Sequence, residues 1–352
     1  MKIWKIGIGI FFKMNQKATI RDVAADAGVS IKTVSRVINN EPAVAKTTRA
    51  SVLKSIKKLK FTPNKDAQGL RSKRSFLIGL LYDNPNKYYL SDVQSGSLNA
   101  CAGTNYNLVL QECKNNSSGL ISKVTNFIKT ADLNGVILTP PLTDNLKLVT
   151  AITKLNVPIS FIAPPNKTYE VWSSANDKDA AYAMTNKIIS MGHKKIAFIK
   201  GHKDHSAAKA RFDGFCESLD KQNISLDASM TLQGNFSFES GFKLAAELLK
   251  KKNKPTAIFC SNDSMAAGVI KYCYQNNIAI PEQLSVTGFD DSMIAQEIWP
   301  SITTVRQPVA KMSEHAASAL IKKISGNGSI GDLTKTFKSE IVLRESLGKA
   351  PK

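Results

Sequence analysis

The sequence predicts a mixed α/β fold: a small all-α helix-turn-helix headpiece followed by a larger core of two doubly wound parallel-sheet subdomains. Three observations predict it. Two short helical patterns meet at a glycine within 19–39, positive charge is concentrated in the first fifth of the chain, and apolar runs alternate with amphipathic stretches from Phe76 onward. At 352 residues the chain has room for one small and one large domain.

In the headpiece, Thr19 suits an N-cap and Asp22 places a carboxylate in the first turn, where the helix dipole favours it. Val23, Ala24 and Ala27 form an apolar stripe, Gly28 permits the positive φ that ends a helix, and Val29 fills the corner. Ser30 caps a second helix in which Val34, Val37 and Ile38 face inward, leaving Lys32, Thr33, Ser35 and Arg36 outside. A third helix is expected over 46–60 with Val52, Leu53, Ile56 and Leu59 as its buried side. A generic αα-hairpin shares this spacing. Charge separates the two readings: residues 1–75 hold 17 Lys and Arg against 4 Asp and Glu, a net +13 of the chain's +20. A compact basic module that presents a helix reads as a binder of double-stranded DNA.

The segment 63–75 reads as a hinge. Pro63 stops the preceding structure, Asn64 caps a further turn, and Gly69 weakens a helix too short to stand alone. Arg71, Lys73 and Arg74 suit phosphates, and Leu70 is the one large apolar side chain available to insert. The first thirteen residues imitate a signal peptide but lack a small-residue cleavage site, and the apolar run is short for a membrane span. Residues 1–13 are therefore expected to be a misassigned extension, with Met14 the start of a cytoplasmic protein and no membrane partner.

From Phe76, strands are expected at 76–82, 108–111, 135–139, 159–163, 195–200, 257–261 and 285–288. Helices are expected at 92–104, 119–130, 179–191, 237–250 and 263–275. This βα repeat implies parallel sheets, and its length exceeds one sheet. Ligands in such sheets sit beyond the carboxyl ends of strands, where Tyr82-Asp83-Asn84, Ser261-Asn262-Asp263 and Phe289-Asp290-Asp291 collect. Those groups also serve as helix caps; clustered acids and amides favour a pocket for a hydroxyl-rich ligand. Five cysteines without a C-x-x-C read as reduced, and His202 and His205 lack a third ligand, so no metal or cofactor is expected. No phosphate-binding loop or nucleophile–base set appears, which argues against an enzyme. A solute-binding protein of a transport system would account for the core but leaves the headpiece unemployed.

From Ala18 to Ser346 the chain resembles the lactose-repressor (LacI/GalR) family of bacterial transcription regulators. The resemblance rests on Thr19-Ile-Arg-Asp-Val-Ala, Gly28-Val-Ser-Ile-Lys-Thr-Val-Ser-Arg-Val-Ile-Asn, Gly192-His, Arg211-x-x-Gly-Phe, Ser261-Asn-Asp-x-Met-Ala-x-Gly, Ser285-Val-x-Gly-Phe-Asp-Asp and Thr303-Thr-Val-Arg-Gln-Pro. It implies a periplasmic-binding-protein-like core with an N-subdomain of about 76–173 and 306–333 and a C-subdomain of about 174–305 and 334–352. It implies a homodimeric repressor that reads a pseudo-palindromic operator, because the chain ends without the leucine heptads of tetrameric relatives. The headpiece is expected to occupy 14–62. The DNA-facing set is Thr19, Ser30, Ile31, Lys32, Thr33, Ser35, Arg36, Asn39, Lys46, Asn64 and Leu70, with Arg36 matching a base-contacting arginine and Leu70 the minor-groove wedge. The effector set is Tyr82, Asp83, Arg211, Phe236, Asn262, Asp290 and Gln307, with Arg211 clamping hydroxyls or a carboxylate and Phe236 facing a sugar ring. A sugar or glycoside is the expected effector. One departure stands out: many members carry an acidic residue where this chain has Ala163-Pro164.

Overall fold

A computed structural model of the chain describes residues 18–38, 43–61 and 74–351. The expected extension 1–13, most of the hinge, and Asn39, Asn64 and Leu70 lie outside the described residues. Two compact units result, Met1–Arg74 and Ser75–Lys352.

The first unit contains α1 (Ile20–Ala27), α2 (Ile31–Ile38) and α3 (Lys46–Lys58). Thr19 and Asp22 form a reciprocal capping box: the Thr19 amide donates to Asp22 Oδ2 at 2.7 Å, and the Asp22 amide donates to Thr19 Oγ1 at 3.4 Å. Gly28 ends α1 at φ 64°, and the Val29 amide reaches back to the Ala24 carbonyl at 3.0 Å. Ser30 Oγ accepts the Thr33 amide at 3.1 Å at the start of α2. Val23, Ala24, Val34, Val37 and Val52 make the core, with Ile56 and Leu59 packed against it. Leu53, expected in that core, is 52% exposed, because Val52 and Ser55 define the inner face of α3.

The second unit is built on two parallel sheets. The first comprises β1 (Leu77–Tyr82), β2 (Asn107–Glu112), β3 (Gly135–Leu138), β4 (Ile159–Ile162), β5 (Trp172–Ala175) and β11 (Thr334–Phe337), in the order β11-β5-β4-β3-β1-β2. Its main covering helices are α4 (Lys87–Cys101), α5 (Leu120–Thr130), α6 (Leu146–Thr153) and α12 (Val309–Ser325). The second sheet comprises β6 (Ile196–Lys200), β7 (Thr231–Gln233), β8 (Ala257–Cys260) and β9 (Ser285–Thr287), in the order β7-β6-β8-β9. It is covered by α7 (Asp177–Ser190), α8 (Ser206–Lys221), α9 (Phe238–Leu249) and α10 (Asp263–Gln275), and the short α11 (Ile294–Glu297) follows β9. The antiparallel pair β10 (Thr304–Arg306) and β12 (Glu340–Val342) lies where the chain crosses between lobes.

The lobe boundary differs from the sequence reading at one place. Residues 334–337, assigned there to the C-subdomain, are β11, which pairs in parallel with β5 at the edge of the first sheet. The short strands β5, β7, β10 and β12 were likewise absent from the sequence reading. Ser173 in β5 explains part of the difficulty, and Ser160 in β4 behaves in the same way. Both are fully buried, and their hydroxyls donate to the Ala316 and Met312 carbonyls of α12 at 2.8 and 2.7 Å. A polar residue satisfied by a helix carbonyl leaves no apolar signal in the sequence. The same helix passes so close to α4 that a Cβ on Gly96 would lie 2.0 Å from the Ala310 carbonyl oxygen.

Candidate functional site

Helix α8 of the second lobe carries Arg211 into the cleft between the lobes, and its side chain is 6% exposed. Arg211 Nε donates to Asp177 Oδ1 at 2.9 Å, Nη1 donates to the Ser261 carbonyl, and Nη2 faces Asp290 Oδ1 at 3.2 Å. Its guanidinium also stacks on Phe289, 3.8 Å from the ring centroid. Burial opposes the charge on Arg211, but the Asp290 and Asp177 carboxylates overcome that and its pKa is raised. Gln307, on the crossing after β10, donates to the same Asp177 oxygen at 2.6 Å. From the first lobe, Asn86 Nδ2 reaches Asp290 Oδ2 at 3.3 Å.

Asp290 holds a left-handed backbone at φ 106°, and Phe236 one at φ 69°. Such strain in non-glycine residues is stored where surrounding structure fixes it, commonly at binding sites. Phe236 packs edge-on against His205 with centroids 5.2 Å apart. Gly201 gives its ring the space: a Cβ there would meet Phe236 Cζ at 2.1 Å. Burial, then the nearby His202 and Arg211, push the His205 pKa down to about 3, so the imidazole is neutral. Burial raises Asp290 to about 7 against the opposing pull of Arg211. Neighbouring Asp263 is raised to about 8 by burial and by Asp290, although Thr304 and Ser292 donate to it.

The cleft encloses about 420 Å³ of space including its open mouth. Five of the expected effector residues, Arg211, Phe236, Asn262, Asp290 and Gln307, line it together. Asn262 spends its side chain internally, accepting the Met265 amide at 3.0 Å and donating to the Phe236 carbonyl at 3.0 Å. Tyr82 and Asp83 are not among the lining residues. Tyr82 packs in the first-lobe core, and Asp83 Oδ2 is engaged by the Asn115 amide at 2.7 Å. Asn84, Asn86 and Tyr89 face the cleft from that segment instead. Arg211 lines the cleft while Nε and Nη1 are held by Asp177 and the Ser261 carbonyl and Nη2 faces Asp290.

Sequence reasoning missed Asp177, Asn86 and Tyr89. Asp177 opens α7 and Asn86 caps α4, accepting the Tyr88 amide at 3.1 Å, so both read as ordinary helix-start residues. Asp177 supplies a carboxylate to the same cleft that Ala163 lines, Ala163 standing where many family members carry an acidic residue. The Tyr89 hydroxyl is buried without a hydrogen-bond partner among the described residues. Burial and the Asp290 and Asp177 charges raise its pKa, so it stays a donor.

In the headpiece, Lys32, Arg36 and Lys46 are exposed, and Ile31, Thr33 and Ser35 are half-buried. Thr19, Ser30 and Thr33 also do structural work at helix starts, with Ser30 and Thr33 hydroxyls 2.9 Å apart. A cationic helix face above a packed three-helix core suits phosphates and base edges. Among the described residues no His, Cys, Asp and Glu cluster suits a metal ion, and no helix is long and apolar enough to cross a membrane.

Comparison with known proteins matches residues 19–64 to a family described as bacterial regulatory proteins, lacI family. Residues 185–347 match a periplasmic binding protein-like domain. The HTH-type transcriptional repressor PurR of Vibrio atlanticus (strain LGP32) is 31% identical over 315 residues, covering 87% of this chain and 92% of the relative. PurR of Vibrio vulnificus (strain CMCP6) is 32% identical over 318 residues, with coverage of 87% and 92%. Among solved structures, a transcriptional regulator CelR–cellobiose complex superposes with a TM-score of 0.71 at 26% identity, covering 94% of this chain and 99% of that one. The lac repressor dimer bound to operator and the anti-inducer ONPF superposes with a TM-score of 0.76 at 24% identity, covering 95% and 100%.

Proposed function

The chain belongs to the lacI family of bacterial regulatory proteins, and from that premise we propose that it is a cytoplasmic homodimeric repressor whose effector is an uncharged sugar or glycoside. Its coarser role is that of its family: a DNA-binding transcriptional repressor regulated by a small molecule. A transport-system binding protein has no use for the lacI-family headpiece, and the PurR relatives match through both units.

The observation that carries the effector class is that protein groups already engage Arg211 from three sides. Two carboxylates flank one guanidinium, and that guanidinium already faces Asp177, Asp290 and the Ser261 carbonyl. With Arg211 balanced by Asp177, and Asp290 raised to about 7 and only partly ionised near neutral pH, the cleft carries no net positive charge to attract an anion. A phosphate or carboxylate placed beside an ionised Asp177 or Asp290 would meet repulsion of about 4 kcal/mol per close charge pair at an effective dielectric near 20. Ligand hydroxyls suit the acceptors, Tyr89 supplies a donor, and Phe236 an apolar edge. The similarity to a CelR–cellobiose complex supports the class.

Dimerisation is proposed by analogy with the lac repressor dimer, whose fold this chain shares. In the proposed dimer each headpiece reads one half-site of a pseudo-palindrome. Ligand in the cleft changes the balance between lobe arrangements, and that change reaches the DNA-bound hinge. Arg36 is proposed to meet a base edge and Lys46 a phosphate.

The test is a thermal-shift screen of the full chain against neutral sugars and glycosides, sugar acids, sugar phosphates and nucleobases. A rise in melting temperature confined to neutral sugars supports the proposal. A rise confined to anions overturns it, and one confined to nucleobases replaces the ligand class.

A further inference from the structure

The helix that carries Arg211 is capped from the opposite lobe. Helix α8 begins at Ser206, and its own N-cap residue, His205, makes no side-chain cap. The His205 ring is instead packed against Phe236 and His202. The leading amide of α8 is met by Asp144, the last residue of a short turn (Leu142–Asp144) that follows β3 in the first lobe. Asp144 Oδ2 accepts the Ser206 amide at 2.8 Å, and Oδ1 lies 3.3 Å from the Ser206 hydroxyl. Thr143 donates to Oδ1 at 3.0 Å and fixes the carboxylate. A carboxylate here satisfies an orphan helix amide and opposes the positive end of the helix dipole.

A second bridge lies on the same rim. Asn116 Nδ2 donates to Asp204 Oδ2 at 3.0 Å, and the loop bearing Asn116 is held by Asp83 through the Asn115 amide at 2.7 Å. Asn145 Nδ2 ties the Asp144 turn to this loop through Asn115 Oδ1 at 2.8 Å. Asp83 thus supports the rim without lining the cleft.

We propose that Asp144 is a positioning residue for the effector cleft: by capping the Arg211 helix across the gap, it ties the two lobes together. Opening the cleft exchanges this cap for water, because His205 supplies none from the helix's own lobe.

Two substitutions remove the contact from opposite sides. Asp144→Ala deletes the acceptor. Ser206→Pro deletes the amide and hydroxyl while fitting the first helical position, where proline is favoured. The preceding His205, at φ −104° and ψ 118°, has the extended backbone that a following proline requires. The lobe separation is read by spin-label distances between Ser117→Cys and Lys203→Cys, exposed on the two rims, in a Cys216→Ser background. The other four cysteines are buried. Labelled full-length chain is diluted with excess unlabelled chain so that each distance is within one subunit.

Both variants are expected to shift the ligand-free distance distribution to longer values by several ångströms. Asp144→Asn, which keeps one carbonyl oxygen for the Ser206 amide, is expected to stay near the parent. An unchanged distribution in either Asp144→Ala or Ser206→Pro overturns the proposal, even if the variant melts earlier, since a merely stabilising cap would do that. Should Asp144→Ala fail to fold, Ser206→Pro decides alone. No effector is needed, so this result leaves the proposed ligand class untouched.

Discussion

Asp177→Ala tests whether the cleft is a coupled charge array. In the parent chain Asp177 Oδ1 accepts from Arg211 Nε at 2.9 Å and from Gln307 Nε2 at 2.6 Å. The two charged side chains are 6% and 10% exposed, so solvent screens the pair only weakly. The alanine variant leaves Arg211 with Asp290 as its one carboxylate neighbour and strands the Gln307 amide. Removing one partner of a buried ion pair costs about 3–5 kcal/mol. For a core of this size that corresponds to a fall in melting temperature of about 5–10 °C. Asp177→Asn keeps an acceptor and the side-chain volume, and is expected to lose roughly half as much. Thermal unfolding followed by circular dichroism at pH 7 without ligand measures both. A melting temperature for Asp177→Ala within a degree of the parent would refute the reasoning, because Arg211 would then have to be satisfied by Asp290 and the Ser261 carbonyl alone.

Other expectations concern pH, packing and DNA. Asp263 and Asp290 are raised to about 8 and about 7, so the folded state binds more protons than the unfolded one above pH 4, and stability falls as pH rises toward 8. Asp263→Asn is expected to flatten the fall in melting temperature between pH 5 and 8; a slope equal to the parent's counts against the buried-acid account. Gly96→Ala places a methyl 2.0 Å from the Ala310 carbonyl oxygen, and urea unfolding is expected to show a loss of about 1–3 kcal/mol or more. Full parental stability would mean that α4 and α12 separate freely. Arg36→Ala is expected to weaken operator binding and relax preference at one base pair, whereas Lys46→Ala weakens binding to all sequences alike. Equal losses on operator and random DNA for Arg36→Ala would remove its assigned role.

The headpiece was legible because its signals are local. The Thr19–Asp22 capping box, Gly28 at the corner and Ser30 at the second helix each act within four residues. Leu53 was misread because apolar neighbours at 52 and 53 compete for one face, and the register that buries Val52 and Ser55 turns Leu53 outward. In the core, the long apolar strands were readable, but β5 and β11 were not. Trp172–Ala175 contains two serines, and Thr334–Phe337 is polar except for Phe337 and lies at the sheet edge. The cleft divides in the same way. Arg211, Asp290 and Gln307 stand in distinctive motifs. Asp177 meets Gln307 across 130 positions and Asn86 meets Asp290 across 204, so no local pattern marks either as a cleft residue. Helix-starting Asn and Asp carry the same sequence signature whether they cap only or also face a ligand.

The most direct measurement of the central claim is an anisotropy titration of a fluorescent promoter fragment with the full chain, in competitor DNA at physiological salt. It is run with the neutral sugar found by the thermal screen, with its acid or phosphate counterpart, and with Asp290→Ala. The account predicts that the neutral sugar changes operator affinity at least tenfold, that the anion does not, and that Asp290→Ala binds the operator normally but ignores the sugar. A chain that binds promoter and competitor equally, or an Asp290→Ala variant that answers the sugar as the parent does, would contradict it.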